Sequence, residues 1–258
     1  EVAAEVGGYL MNQFGWIVSV HEPMLEVLVQ VSNDEIAVGL LLLRQQEQRN
    51  YLIHRGLHPN VAWHMGRCLR GSAAQGSVTS PLVLDPVCGC GIVAIEVASP
   101  MLPPAIVLAV DMDNEQLRKA AEHRARVPHR HIELLRADST RLPLREGVMD
   151  MVVGDLPFGK QHGSREENVD LYPALLQAVS AKAVPDCRAV LLTREGRQGS
   201  TAALAQGADK AGWTVSSSRS FSLGPKMPCR LVFLCKNPND AAGWPQDLDL
   251  NLSWGKDR

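Results

Sequence analysis

The segment Val148 to Gly159 constrains this chain more than any other. It reads Val-Met-Asp-Met-Val-Val-Gly-Asp-Leu-Pro-Phe-Gly. Its first half is short, apolar and β-branched, with no helical period, as expected of a strand buried in a parallel sheet. Pro157 cannot continue a ladder and Gly159 permits a sharp exit, so Asp155-Leu156-Pro157-Phe158 leaves the strand at its carboxyl end. In open α/β sheets, ligands sit in the crevice beyond those carboxyl ends. A carboxylate, a rigid turn and an aromatic ring are therefore predicted to project into such a crevice together.

A second constraint lies upstream. Pro81 to Asp85 reads as a strand, Asp85-Pro86-Val87-Cys88-Gly89-Cys90-Gly91 as a glycine loop, and Ile92 to Ala98 as the start of a helix. Gly89, Gly91 and Ala94 match G-x-G-x-x-A, where glycines let the backbone approach a ligand closely. Asp111 follows the next strand, Ile106 to Val110, and an acid about 20 residues after the glycines binds ribose hydroxyls. NAD and S-adenosylmethionine satisfy these features equally. Cys88 and Cys90 read as packing residues.

The remaining pattern alternates helix and strand. Asp113 caps a helix, with Gln116 completing a capping box and Leu117, Ala120 and Ala121 facing the sheet. His129-Arg130-His131 is a solvated turn, Ile132 to Ala137 a strand, and Asp138-Ser139 its exit. Lys160 to Asp170 is polar and reads either as a lid or as a plain connection. Leu171 to Val184 is a helix whose first turn is placed by Tyr172-Pro173. Arg188 to Thr193 is a strand, Ser200 to Ala211 a helix, and Trp213 to Leu223 and Arg230 to Cys235 two closing strands.

Before the glycine loop, residues 1–15 form an amphipathic helix, Trp16 to Val20 a short strand, and Leu25 to Val31 and Ile36 to Leu43 two strands around a turn at 32–35. This package reads either as part of a separate module or as a hairpin extending the main sheet. Arg44 to Arg55 is a basic linker, and Leu57 to about Leu69 a helix with Pro59 near its start. Gly71 to Ser80 is a Gly/Ser-rich connection. His54, His58 and His64 read as lone surface histidines, not metal ligands. The resulting division is 1–50, 51–236 and a polar tail over 237–258.

With 258 residues, the chain holds one sizeable domain and a smaller piece. No apolar run approaches a membrane span. Glu1 opens the chain without a signal peptide, and the expectation is a fragment whose true N-terminus is missing. Six cysteines without a C-x-x-C pair read as reduced thiols of the cytoplasm or nucleus, with no metal site. A net charge of −2 announces no global field for nucleic acid, so any RNA contact must be local or supplied by a partner.

Asp155-Leu156-Pro157-Phe158 resembles the Asp/Asn-Pro-Pro-aromatic motif of methyltransferases that modify a planar exocyclic nitrogen. Such an amino group is a poor nucleophile because its lone pair is delocalised into the ring. The resemblance implies that Asp155 and the Leu156 carbonyl bind its two hydrogens, Pro157 fixes that carbonyl and Phe158 stacks on the base. Leu156 departs from the motif, where Pro is commoner.

With Asp-Pro-x-Cys-Gly-x-Gly at 85–91, Leu-Pro-Leu-Arg at 142–145, Leu-Tyr-Pro-Ala at 171–174 and Ala-Val-Leu-Leu-Thr at 189–193, the chain resembles the THUMP-domain-containing guanosine-N2 RNA methyltransferases of eukaryotes. The resemblance implies a Rossmann-like α/β fold of class I, with a seven-stranded sheet, an antiparallel last strand and a small α+β partial THUMP segment in front. It implies S-adenosylmethionine as cofactor and S-adenosylhomocysteine as product. The cofactor would be held by Asp85, Pro86, Cys88, Gly89, Gly91, Asp111, Met112, Asp138, Ser139 and Asp155. The implied substrate is tRNA or a small nuclear RNA. The implied partner is a small zinc-binding activator subunit in a heterodimer. Three rivals remain: an adenine-N6 or protein-glutamine methyltransferase using the same turn, an NAD-dependent oxidoreductase, and an inactive RNA-binding scaffold.

Overall fold

The computed structural model describes residues 2–17, 19, 25–31, 36–41, 49–71, 80–99, 102, 104–128, 130–157, 165–195, 200–223, 227–239 and 244. They fall into two compact units, Glu1–Asn50 and Tyr51–Arg258. The first contains helix α1 (Val2–Phe14) and an antiparallel hairpin of β1 (Glu26–Val31) and β2 (Ile36–Leu41), with Val29 opposite Val38. The hairpin forms a sheet of its own and does not extend the larger one. The strand expected at 16–20 is not formed at Trp16, Ile17 or Ser19, and its other two residues lie outside the described set, as does the turn at 32–35.

The second unit runs α2 (Pro59–Gly71), β3 (Leu82–Asp85), α3 (Ile92–Val97), β4 (Ile106–Asp111), α4 (Asn114–Ala125), β5 (Ile132–Arg136), β6 (Met149–Asp155), α5 (Arg165–Lys182), β7 (Ala183–Arg194), α6 (Ser200–Lys210), β8 (Thr214–Ser222) and β9 (Pro228–Cys235). Seven strands form one sheet in the order β5-β4-β3-β6-β7-β9-β8. β3 to β7 are mutually parallel, and β9 is antiparallel to both neighbours. This is the mixed seven-stranded sheet, with its last strand antiparallel, that the resemblance implied.

Helices cover both faces of the sheet because its central strands are apolar on both. Along β7, Val190 and Leu192 enter one core while Ala189 and Leu191 enter the other. β9 divides Leu231 and Phe233 from Val232 and Leu234 in the same way. That is the two-residue alternation of a strand read on two buried faces. The first core takes α2 and α3, and the second takes α5 and α6.

Several local expectations need correction. The segment 160–170 is not one loop, since α5 begins at Arg165 and carries Pro173 inside it. Asp113 caps α4 by accepting from the Glu115 N–H at 2.8 Å, not from Gln116 as a capping box requires. Ala121 is exposed, and His123 is the buried residue on that face instead. Arg130 is not a solvated turn residue: it donates to the Ile95 carbonyl at 2.6 Å and lies over the Tyr51 ring. In the polar tail, Trp244 is buried against Phe233 and donates to Ser216 Oγ at 3.0 Å. Among the described residues, no helix is long and apolar enough to cross a membrane, and no cluster of His, Cys, Asp or Glu could hold a metal ion. His54 instead pairs with Glu122 at 2.7 Å, and His64 packs edge-on against Trp63.

Candidate functional site

The chain passes from β3 outward to β4 and β5, then crosses back to lay β6 on the other side of β3. The gap beyond β3 and β6 is thus the topological switch point, where open α/β sheets bind ligands. Asp85, Asp111 and Asp155 each end a strand there, and Asp138 lies two residues beyond β5. The two central exits are close: a Cβ placed on Gly154 would lie 3.5 Å from the Pro86 ring.

On the glycine loop, Gly89 and Gly91 both take positive φ, 52° and 81°. Their surroundings differ. A Cβ on Gly91 would come within 3.0 Å of Ala120, so this glycine lets α4 pack against the loop. A Cβ on Gly89 would meet nothing within 4 Å, so the space beside it is open. Asp111 fixes the loop: its Oδ2 accepts from Gly89 N–H and its Oδ1 from Asp113 N–H, both at 2.8 Å. The loop is also tied by Cys88 N–H to the Val110 carbonyl at 2.8 Å. Burial raises the thiol pKa of both Cys88 and Cys90, which suits packing and not nucleophilic chemistry.

Asp138 is satisfied in a similar way. Its Oδ1 accepts from the Thr140 N–H and hydroxyl, and its Oδ2 faces the Arg141 guanidinium at 3.2 Å. The Thr140 hydroxyl is the largest influence holding this carboxyl below its usual range. Ser139 is buried, whereas the Met112 side chain is 69% exposed at the end of β4.

The other two acids are not satisfied. Both oxygens of Asp85 are buried without a hydrogen bond of normal geometry. Burial drives its pKa well up; the Val87 and Ala94 N–H groups oppose that, and the charges of Asp111 and Asp155 add to it. Asp155 Oδ1 is likewise sealed from solvent without a partner, and burial pushes this carboxyl up to about 7. The residue as a whole keeps some exposure, so the sealing falls on that one oxygen. Beyond it, Leu156 is buried and donates its N–H to the Leu192 carbonyl at 2.9 Å. The Pro157 carbonyl accepts from the Tyr172 hydroxyl at 2.9 Å. Phe158 lies outside the described residues.

Sequence reasoning missed the residues that brace this arrangement. Tyr172 reads only as a helix start, yet it reaches back to the turn. His123 donates from Nδ1 to the Cys90 carbonyl at 2.8 Å, while its Nε2 accepts from the Ile53 and His54 N–H groups. It pins the chain just before α2 to the glycine loop. A histidine three residues after Ala120, on the stripe that begins at Leu117, was the available signal.

A mixed seven-stranded Rossmann-like sheet with β9 inserted antiparallel, and acids at the carboxyl ends of β3, β4 and β6, is the architecture of an S-adenosylmethionine-dependent methyltransferase. Residues 72–214 match the RMKL-like methyltransferase domain, and the chain belongs to that family. It is 32% identical over 210 residues to the bovine tRNA (guanine(6)-N(2))-methyltransferase THUMP3, covering 76% of this chain and 40% of that protein. It is 34% identical over 163 residues to the mouse U6 snRNA (guanine-N(2))-methyltransferase THUMPD2, covering 62% of this chain and 30% of that protein. The crystal structure of TrmN from Thermus thermophilus superposes with a TM-score of 0.65 at 28% identity, covering 92% of this chain and 67% of that one. The chain thus spans less than half the length of these two curated relatives.

S-adenosylmethionine is the cofactor of this class, and the residues present fit it. The open side of Gly89 leaves room for a ligand against the backbone, and Asp111 is anchored with lone pairs to spare for hydroxyls. The Asp155 carboxyl, with one buried oxygen lacking a partner, suits a cationic donor. The family match removes the oxidoreductase reading of the glycine loop.

Proposed function

We propose that this chain is the catalytic part of an RNA methyltransferase that acts on the exocyclic N2 of a guanosine, in tRNA or in a small nuclear RNA. The observation that carries this reading is the buried, partnerless Asp155 Oδ1 at the tip of β6, next to a turn with a fixed backbone. When bound, S-adenosylmethionine supplies an electrophilic methyl group on a sulfonium. Gly89, Gly91, Asp85, Pro86 and Cys88 line its methionine side, Asp111 and Met112 its ribose, and Asp138 and Ser139 its adenine.

Asp155 and the Leu156 carbonyl accept the two amino hydrogens of the guanine, which turns the nitrogen lone pair toward the methyl group. Phe158 stacks on the base, which must leave its own stack to present its amino group to the donor. Methyl transfer from the bound sulfonium would leave the acceptor nitrogen with one proton to shed. A carboxylate with pKa near 7 is suited both to accept the N–H and to take that proton. Orientation and desolvation supply most of the rate.

In this reading Glu1–Asn50 is the C-terminal part of a THUMP-like RNA-binding module, 51–236 the methyltransferase domain and 237–258 a tail. Among the described residues β5 and β8 are the edge strands of the large sheet, and one of them pairs with a small zinc-binding activator subunit in a heterodimer. The protein acts in the cytoplasm, the nucleus or both. The likeness to tRNA and U6 snRNA guanine-N2 methyltransferases supports the RNA substrate in this reading.

The test is nucleoside mass spectrometry of tRNA and small RNA treated with the chain, the activator and labelled donor, beside DNA and protein controls. N2-methylguanosine is the expected product. Label in N6-methyladenosine or in glutamine would replace this reading with another methyl acceptor. Saturable S-adenosylhomocysteine binding without any transfer would mark a scaffold.

A further inference from the structure

We propose that Tyr172, backed by Thr193, is a positioning residue that aims the acceptor turn. The inference rests on the reading of Asp155 and Leu156 as acceptors of the amino hydrogens.

The difficulty lies in the peptide joining Leu156 to Pro157. Proline has no N–H, so this plane has no donor of its own with which to anchor the Leu156 carbonyl. Its direction must be set from both sides. On one side, the Leu156 N–H is held by the Leu192 carbonyl of β7 at 2.9 Å. On the other, the Pro157 carbonyl is held by the Tyr172 hydroxyl at 2.9 Å. With both flanks gripped and the proline φ fixed by its ring, little freedom remains for the carbonyl between them.

The hydroxyl that makes the second grip is itself constrained. Tyr172 is wholly buried, and its hydroxyl lies 3.3 Å from the Thr193 Oγ1, also wholly buried. Tyr172 has one proton and gives it to the Pro157 carbonyl, so Thr193 donates to Tyr172. Thr193 directly follows Leu192, so one short piece of β7 supports both grips. Helix α5 is seated closely too: a Cβ on Gly207 of α6 would fall 2.9 Å from the Pro173 Cα, so the residue after Tyr172 is locked against the neighbouring helix. The Asp155 charge helps raise the Tyr172 pKa, after burial, which places the phenol within electrostatic reach of the acceptor carboxylate.

A phenol that merely fills the core predicts something different from one that aims a carbonyl. Tyr172→Phe keeps the ring and removes only the hydroxyl. The expected result is a fall in kcat of about 10²-fold, the loss typical when a reacting group is misplaced by about 1 Å. KM for RNA and the affinity for S-adenosylhomocysteine should stay within about twofold, as expected of an interaction that matters mainly in the transition state. Amide exchange of the peptide containing Leu156 should quicken, a readout that needs no transfer at all. Thr193→Val should move both readings in the same direction by less, and it takes over the test if the phenylalanine variant does not fold. A kcat within twofold of wild type, unchanged amide exchange, or a loss of cofactor affinity equal to the loss of rate would overturn the proposal. If wild-type protein with the activator methylates no RNA, the proposed function fails, while amide exchange still judges the grip on the turn.

Discussion

Two pairs of carboxylates meet the same crevice in opposite conditions. Asp111 and Asp138 are met by the chain's own donors, backbone N–H groups and a hydroxyl, before any ligand arrives. Asp85, approached by the Val87 and Ala94 N–H groups, and Asp155 keep buried oxygens without a hydrogen bond of normal geometry. The first pair is finished as architecture and, in the proposed function, receives neutral hydroxyl and amino groups on spare lone pairs. The second pair carries the desolvation cost of a buried, unpaired group, about 1–3 kcal/mol and more when charged. Such a cost is tolerated where a bound molecule supplies the missing donor or positive charge. In the proposed function, the side assigned to the nucleoside is thus set in advance, and the side assigned to bond making is left incomplete.

The sharpest way to break this comparison is Asp155→Ala. Transfer should drop at least about 10²–10³-fold, the range seen when one preorganised electrostatic contact is removed. Calorimetry should still find S-adenosylhomocysteine bound, and a fully active variant would remove Asp155 from the chemistry.

Asp111→Ala should do the reverse. It leaves the Gly89 and Asp113 N–H groups unpaired, so cofactor affinity should fall by about 10²-fold, given about 1.5–3 kcal/mol for a hydrogen bond to a charged group. The thermal midpoint should fall with it, since the loop loses its anchor.

A smaller, graded effect is expected with pH. Asp155 titrates near 7 in the fold against 3.8 ordinarily, so the folded state holds more protons than the unfolded state between those values. Stability conferred by this residue is therefore lost as pH rises from about 4 to 7. Activity should run the opposite way, since only the ionised acid accepts both the amino hydrogen and the proton. kcat/KM is expected to climb through about pH 7. Urea midpoints of Asp155→Asn against wild type, measured across this window, test the stability half: the variant should lack that part of the slope.

Much of this arrangement was legible because its causes are local. Short β-branched runs fix the strands, glycines mark a tight loop, and Asp85, Asp111 and Asp155 fall where those runs stop. What stayed hidden depends on contacts distant along the chain. Tyr172 grips a carbonyl 15 residues away, and nothing in Leu-Tyr-Pro-Ala announces it. Pro173 reads as a helix start because it lacks an N–H, yet α5 begins eight residues earlier and carries the proline within it. Trp244 lies in a polar stretch whose composition predicts a loose tail, and one aromatic side chain still docks on Phe233 and Ser216. Arg130 reads as solvated until Ile95 and Tyr51 are seen beside it.

The place of β9 has a consequence for how the molecule is made. β8 is synthesised before it, yet has no strand to lie against until β9 inserts beside β7. A nascent chain therefore carries a bare apolar sheet edge until Cys235 has left the ribosome. A premature stop in the last strand would leave both layers unsealed at once, and the shortened product would be prone to aggregate.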